Sequence, residues 1–206
     1  MKVSLTDAGK RFNRDWIFRH LTYNFVTGSS YAIVGPNGSG KSTLLQVISG
    51  NMQPNEGRIE FFNSDKSLPV EEVYKQVTIC APYLELIEEM TLKEFLHFHQ
   101  QFKPWLPGLE IETIIQLISL DKAVNKQIRY FSSGMKQRVK LAQAIFSNTS
   151  VLLLDEPCTN LDEAGIQLYH ALIAEYAKNK LVIVSSNDGV EYSFCKEKID
   201  IVSYKK

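Results

Sequence analysis

Eight residues, Gly35-Pro36-Asn37-Gly38-Ser39-Gly40-Lys41-Ser42, constrain this chain more than any other feature. They fit G-x-x-x-x-G-K-[ST] and stand between an apolar run at Tyr31–Val34 and a helical pattern at Lys41–Ser49 that Gly50 is placed to stop. The glycines let successive backbone N–H groups face one concavity, and the N-terminus of the following helix adds a dipole favourable to an anion. Lys41 is placed to reach the β- and γ-phosphates of a nucleotide, Ser42 to set its hydroxyl on Mg²⁺, and Thr43 to approach the α-phosphate. The ligand implied is Mg²⁺·ATP.

A second run supplies the other half of a site. Val151–Leu154 is continuously apolar, as a strand buried on both faces should be, and it ends in Asp155-Glu156. The carboxyl ends of such strands are where α/β folds bind ligands. Asp155 suits a Mg²⁺ contact, and Glu156 suits a general base acting on a water. Leu181–Val184 has the same all-apolar character, whereas Val3–Thr6, Leu21–Val26 and Arg58–Phe62 alternate, as in an antiparallel layer with one wet face. Strands are also expected at Val77–Cys80 and Ile199–Tyr204. Thr91 with Glu94 forms a capping box for a helix toward Phe102, and further helices are expected at Glu110–Leu120, Ser133–Phe146 and Asp162–Lys178. From about Pro82 to Ser133 the pattern is helical with no convincing strand. The fold expected is therefore an α/β core, at 1–81 and 134–206, with an N-terminal antiparallel β layer and a helical insert at 82–133.

Order and spacing along essentially the whole chain resemble the nucleotide-binding subunits of ATP-binding-cassette (ABC) transporters, whose core is a P-loop NTPase. Phe131-Ser132-Ser133-Gly134-Met135 stands where that family has its L-S-G-G-Q signature, and Thr159-Asn160-Leu161-Asp162 is similar to its D-loop. Phe12 lies at the distance of the family's adenine-stacking aromatic, with Trp16 the alternative. The resemblance implies a head-to-tail dimer, either a homodimer or paired cassettes. In it, Ser132 and Gly134 of one copy complete the site built by the other copy's phosphate loop. It also implies ATP hydrolysis coupled to transport, by a subunit held on the inner face of the cell membrane through a multi-span partner. A soluble ABC ATPase acting on ribosome or DNA, or a slow nucleotide-gated scaffold, are the other functions the pattern allows.

Three positions depart from the family. Ser133 and Met135 replace the signature's first glycine and its glutamine; a serine still presents its N–H if its φ is negative. Tyr83 stands where the Q-loop glutamine is usual, and a phenol cannot replace an amide oxygen on Mg²⁺ in the same geometry, so Glu85 is a second candidate at another register. Asn187 occupies the place of the switch histidine. These departures bear on the rate of hydrolysis more than on ATP binding.

The remaining features are bland by comparison. The 206 residues carry no formal net charge at pH 7, which gives no reason to expect nucleic acid or anionic lipid as a partner. No charged-then-apolar leader opens the chain, and no apolar run approaches a membrane span. Cys80, Cys158 and Cys195 lack metal or redox spacing and suit a reducing cytosol. His97 and His99 fall on different faces of their helix, a poor geometry for a shared metal. Phe95, Phe98, Phe102 and Trp105 recur at roughly helical spacing, either as core of the insert or as a groove for the membrane partner.

Overall fold

The all-apolar runs assemble into one parallel sheet and the alternating runs into an antiparallel one. A computed structural model describes residues 1–64 and 66–205, so Asp65 and Lys206, which the expected core range 1–81 and 134–206 includes, lie outside the described residues. In chain order the elements are β1 (Lys2–Phe12), β2 (Asp15–Val26), β3 (Ser30–Val34), α1 (Lys41–Ile48), β4 (Glu56–Asn63), β5 (Lys66–Leu68), α2 (Val70–Val73) and β6 (Val77–Cys80). They continue as α3 (Leu92–Phe102), α4 (Ile111–Leu117), α5 (Ser133–Ile145), β7 (Val151–Asp155), α6 (Glu163–Tyr176), β8 (Leu181–Ser185) and β9 (Glu197–Asp200). The antiparallel sheet runs β2-β1-β4-β5 and the parallel one β6-β7-β8-β3-β9.

Side-chain alternation explains the two layers. β7 and β8 are buried at every position, so each needs a cover on both faces. Leu153 and Ile183 face the antiparallel sheet with Val3, Phe25 and Leu44, while Leu152, Leu154 and Val184 pack with Leu96, Ile114 and Tyr169 on the other side. β1 is wet on one face and is irregular: Asp7 takes φ +49, and the register with β2 shifts between Leu5 and Ala8.

Most boundaries fall within a residue or two of those expected, but β1 and β2 run well beyond Val3–Thr6 and Leu21–Val26, to Lys2–Phe12 and Asp15–Val26. The Thr91–Glu94 capping box is formed, with Glu94 Oε2 accepting from Thr91 N at 2.8 Å and Thr91 Oγ1 accepting from Glu94 N at 3.3 Å. One expectation fails at the C-terminus. Ile199–Tyr204 is not a strand throughout: β9 ends at Asp200, whose Oδ1 accepts from Val202 N at 3.0 Å and starts a 3-10 turn over Ile201–Tyr204.

Of the two histidines, His97 is exposed and bonds the Lys93 carbonyl at its own helix, while His99 is buried. Ser147 Oγ donates to Gln143 O at 2.6 Å, so it accepts from His99 Nε2–H at 2.8 Å, and the imidazole lies 4.8 Å from the Trp105 ring. Burial, with Lys103 nearby, pushes the His99 pKa down to about 4. Its depressed folded value means stability is fully present above about pH 6.5 and is lost as pH falls toward 4. Acidification from pH 7 to 5 is expected to remove about 2 kcal/mol through this group alone. Denaturant midpoints at the two pH values measure it; a His99→Phe protein, which keeps the ring and cannot titrate, is expected to show a correspondingly smaller difference.

Candidate functional site

β3 delivers the chain into the glycine-rich turn, and α1 leaves it. Gly40 sits at the helix N-cap with φ +105 and no side-chain cap, so the first amides of α1 remain unspent on the protein's own side chains. A Cβ at Gly40 would stand 2.2 Å from Ile17 Cγ2, which shows how tightly the β1–β2 hairpin presses on the loop. Lys41 is buried, and its Nζ donates to Gly35 O at 2.9 Å and Pro36 O at 3.2 Å. The ammonium is thus held inside the loop by carbonyls, with no carboxylate against it. The Ser39 hydroxyl is buried against Gly35 and has no hydrogen-bond partner among the described residues. A buried cation, an unpaired hydroxyl and free helix amides around one turn fit an anionic, oxygen-rich ligand.

The acids arrive from the neighbouring strand. Asp155 pairs in register with Ser185 of β8, and Ser185 Oγ donates to Asp155 Oδ1 at 2.6 Å. Buried, and in no ion pair found among the described residues, the Asp155 carboxylate suits a cation. Glu156 is at φ +44, a left-handed backbone that costs a non-glycine residue about 1–2 kcal/mol. It is held there by Glu156 N donating to Ser185 O at 2.9 Å and by Gln137 Nε2 donating to Pro157 O at 2.7 Å. This turn takes the Glu156 side chain out of the sheet, leaving it less buried than Asp155.

Other predicted residues gather at the same end. Asn187 Nδ2 donates to Asn37 Oδ1 at 3.1 Å, so the residue in the switch position touches the phosphate loop. Tyr83 lies near Gln46 of α1 and Asp155, and burial pushes its phenol pKa up. Glu85 instead lines a groove with Lys136 and Lys140 of α5, so Tyr83 is the one of the two that faces Asp155. Phe12, 47% exposed, stands at the tip of the β1–β2 hairpin with Lys10 Nζ 5.7 Å from its ring. Trp16 already carries the guanidinium groups of Arg19 and Arg11, at 4.5 and 5.4 Å from its ring centroid.

Ser132, Gly134 and Asp162 form a separate constellation. Ser132 caps α5 by accepting from Met135 N at 3.2 Å, and Asp162 caps α6 by accepting from Gly165 N at 2.8 Å. A Cβ on Gly134 would stand 3.0 Å from Asn160 O, which is why the two turns can lie together. With Arg138 they line a groove of about 670 Å³ that contains no residue of Gly35–Thr43. The groove and the phosphate loop are thus lined by different residues of the chain.

Sequence reasoning missed Gln46, Gln137, Ser185 and Glu191. Ser185 follows an apolar run as Asp155 does, but only the β7–β8 register sets them opposite each other. Burial pushes the thiols of Cys80, Cys158 and Cys195 up to about 12, so they are unreactive near neutral pH. No group of three or more His, Cys, Asp or Glu able to hold a metal occurs among the described residues.

The family model described as ABC transporter matches residues 18–159. The chain is 30% identical over 190 residues to the ABC transporter ATP-binding protein YybJ of Bacillus subtilis (strain 168), covering 90% of this chain and 85% of that one. It is 27% identical over 182 residues to the bacitracin transport ATP-binding protein BcrA of Bacillus licheniformis, covering 88% of this chain but 60% of that longer protein. The dimeric structure of a bacterial ABC transporter cassette has the same fold, with a TM-score of 0.81 at 22% identity, covering 97% of this chain and 94% of that one.

Proposed function

We propose that this chain, which belongs to the ABC transporter family, binds Mg²⁺·ATP at Gly35–Thr43 and hydrolyses it as one of two head-to-tail cassettes mounted on a multi-span membrane protein. What supports this reading is that the Ser132–Gly134–Asp162 groove holds no residue of the phosphate loop, so that two copies set head to tail would complete each other's site. The similar cassette of known structure is itself dimeric.

Within the pair, Lys41 and the α1 amides bind the phosphates, and Phe12 offers its ring to the base. Mg²⁺, when bound, neutralises phosphate charge; Ser42 and Asp155 are the residues that would hold it. Glu156 takes the proton of the attacking water, and Asn187 donates one hydrogen bond on the γ-phosphate side. Ser132 of the second copy brings the α5 N-terminus to the same phosphate.

No described helix is long and apolar enough to cross a membrane. In this reading the chain reaches the membrane through its partner, on the cytoplasmic side. Phe95 and Trp105 are buried in the insert's core and cannot form the docking face. Phe98 and Phe102, edge to face at 5.1 Å with Phe102 67% exposed, are the aromatic pair open to that role. In this reading 82–133 is the unit that receives the partner, and 1–81 with 134–206 is the ATP-binding core.

Phosphate release under saturating Mg²⁺·ATP tests the chemistry. Asn187 stays neutral and cannot shuttle a proton, so turnover is expected to be slow, with no inflection from this position between about pH 6 and 8. Asn187→Ala is expected to slow it by up to roughly tenfold, the worth of one neutral hydrogen bond of about 1 kcal/mol. Asn187→His is expected to speed it. An alanine variant as fast as the natural protein removes Asn187 from turnover.

A further inference from the structure

Between the acids and the switch lies a buried carboxylate that the chemistry above does not use. Glu191 is 5% exposed, and its Oε1 accepts from Cys158 N at 2.7 Å. Cys158 begins the turn that carries the chain from Glu156-Pro157 to Asp162 and α6. Glu191 itself closes the turn that starts at Ser186: Glu191 N donates to Asp188 O at 3.1 Å, and Asp188 N donates to Ser186 Oγ at 2.9 Å. Tyr169 of α6, fully buried, fixes the same point from behind by donating its hydroxyl to Glu191 O at 2.8 Å.

The charged groups that act most on this carboxylate are the anions Asp188 and Glu156, and it is in no ion pair found among the described residues. Burial pushes its pKa up, opposed by the Ser186 hydroxyl and the Cys158 amide. Taking a carboxyl group out of water costs several kcal/mol unless hydrogen bonds replace the lost water, so a buried acid used only as filler is a poor choice of residue. Here one bond crosses between two segments, from Cys158 N–H to Glu191 Oε1. The Cys158 amide is two residues from Glu156. Ser186 is next to Asn187, and Asn187 bonds Asn37 of the phosphate loop at 3.1 Å.

We propose that Glu191 is a positioning residue for hydrolysis, tying the Cys158 end of the D-loop to the Ser186–Glu191 turn so that Glu156 and Asn187 hold one spacing over the γ-phosphate. The role rests on the hydrolysis reading above, but the tie itself does not. It adds a second link between the D-loop and the switch to the Glu156 N–Ser185 O bond at the strand ends, so a pull on Asn187 from the phosphate loop also reaches the D-loop through Glu191.

Amide hydrogen exchange in the nucleotide-free protein tests the tie without any turnover. In the wild type the Cys158 amide is expected to exchange at least about tenfold more slowly than an unbonded turn amide, since bonds to charged acceptors are the stronger class. Glu191→Met, close in volume but without an acceptor, is expected to remove that protection. It should also lower kcat by about tenfold or more while leaving ATP affinity within about twofold. Glu191→Gln, whose amide oxygen still accepts from Cys158 N–H, is expected to restore both protection and most of kcat. A merely structural residue would shift affinity and kcat together and show no such rescue. A wild-type Cys158 amide exchanging at the unprotected rate overturns the tie. Protection lost with kcat unchanged overturns the positioning role. A wild type without turnover overturns the hydrolysis reading beneath it, and the exchange rates then decide the tie alone.

Discussion

Lys41→Ala is expected to abolish tight ATP binding, lowering affinity by about a hundredfold or more. The Lys41 ammonium is buried in the turn and held by Gly35 O and Pro36 O, both uncharged acceptors. A charge-assisted contact to phosphate contributes about 1.5–3 kcal/mol, and Lys41 is placed to make more than one. At about 1.4 kcal/mol per factor of ten, two such contacts exceed a hundredfold. The remaining donors, the α1 amides and the unpaired Ser39 hydroxyl, keep a weak phosphate site. Titration with a fluorescent ATP analogue measures the change, with matched thermal unfolding of the two proteins as the control for folding. Equal affinity would remove Lys41 from the site.

Glu156→Gln is the second large effect. Its carboxamide keeps the shape of the side chain and loses the ability to take a proton, so turnover is expected to fall by about a hundred- to ten-thousandfold. ATP affinity is expected to stay within about twofold, because the phosphate loop is untouched. The backbone turn should survive as well, since it is set by Glu156 N on Ser185 O and Gln137 on Pro157 O. Single-turnover phosphate release, compared with nucleotide affinity, separates the two quantities. Full activity in this variant would take the role of base away from Glu156.

How much of this was legible in the sequence depended on whether a feature is local. The phosphate loop is written in adjacent residues, and the all-apolar runs at Val151–Leu154 and Leu181–Val184 announce strands covered on both faces. Caps are local too, so Thr91 caps its helix where it was expected. Register and burial are not local. Ser185 faces Asp155 only because β7 and β8 pair with no offset, and nothing in the two segments fixes that. The choice between Tyr83 and Glu85 turned on the path of a loop with no period. The four aromatics at helical spacing divided, Phe95 and Trp105 inward and Phe102 outward, because the chain breaks at Pro104 and brings Trp105 back against His99. Ile199–Tyr204 read as one β-rich run, yet Asp200 bonds Val202 N and turns it. Glu191 was invisible for the same reason as Ser185: an acid in a turn is ordinarily solvated, and its burial against Tyr169 comes from the fold.

The central claim is that two copies of this chain close on ATP, each lending its Ser132–Asp162 groove to the other's phosphate loop. Light scattering of the Glu156→Gln protein, with and without saturating Mg²⁺·ATP, tests it most directly, because this variant is expected to bind the nucleotide and hold it. The mass of a dimer with nucleotide and of a monomer without it is the result expected. A protein that binds ATP and remains a monomer at saturation would contradict the account.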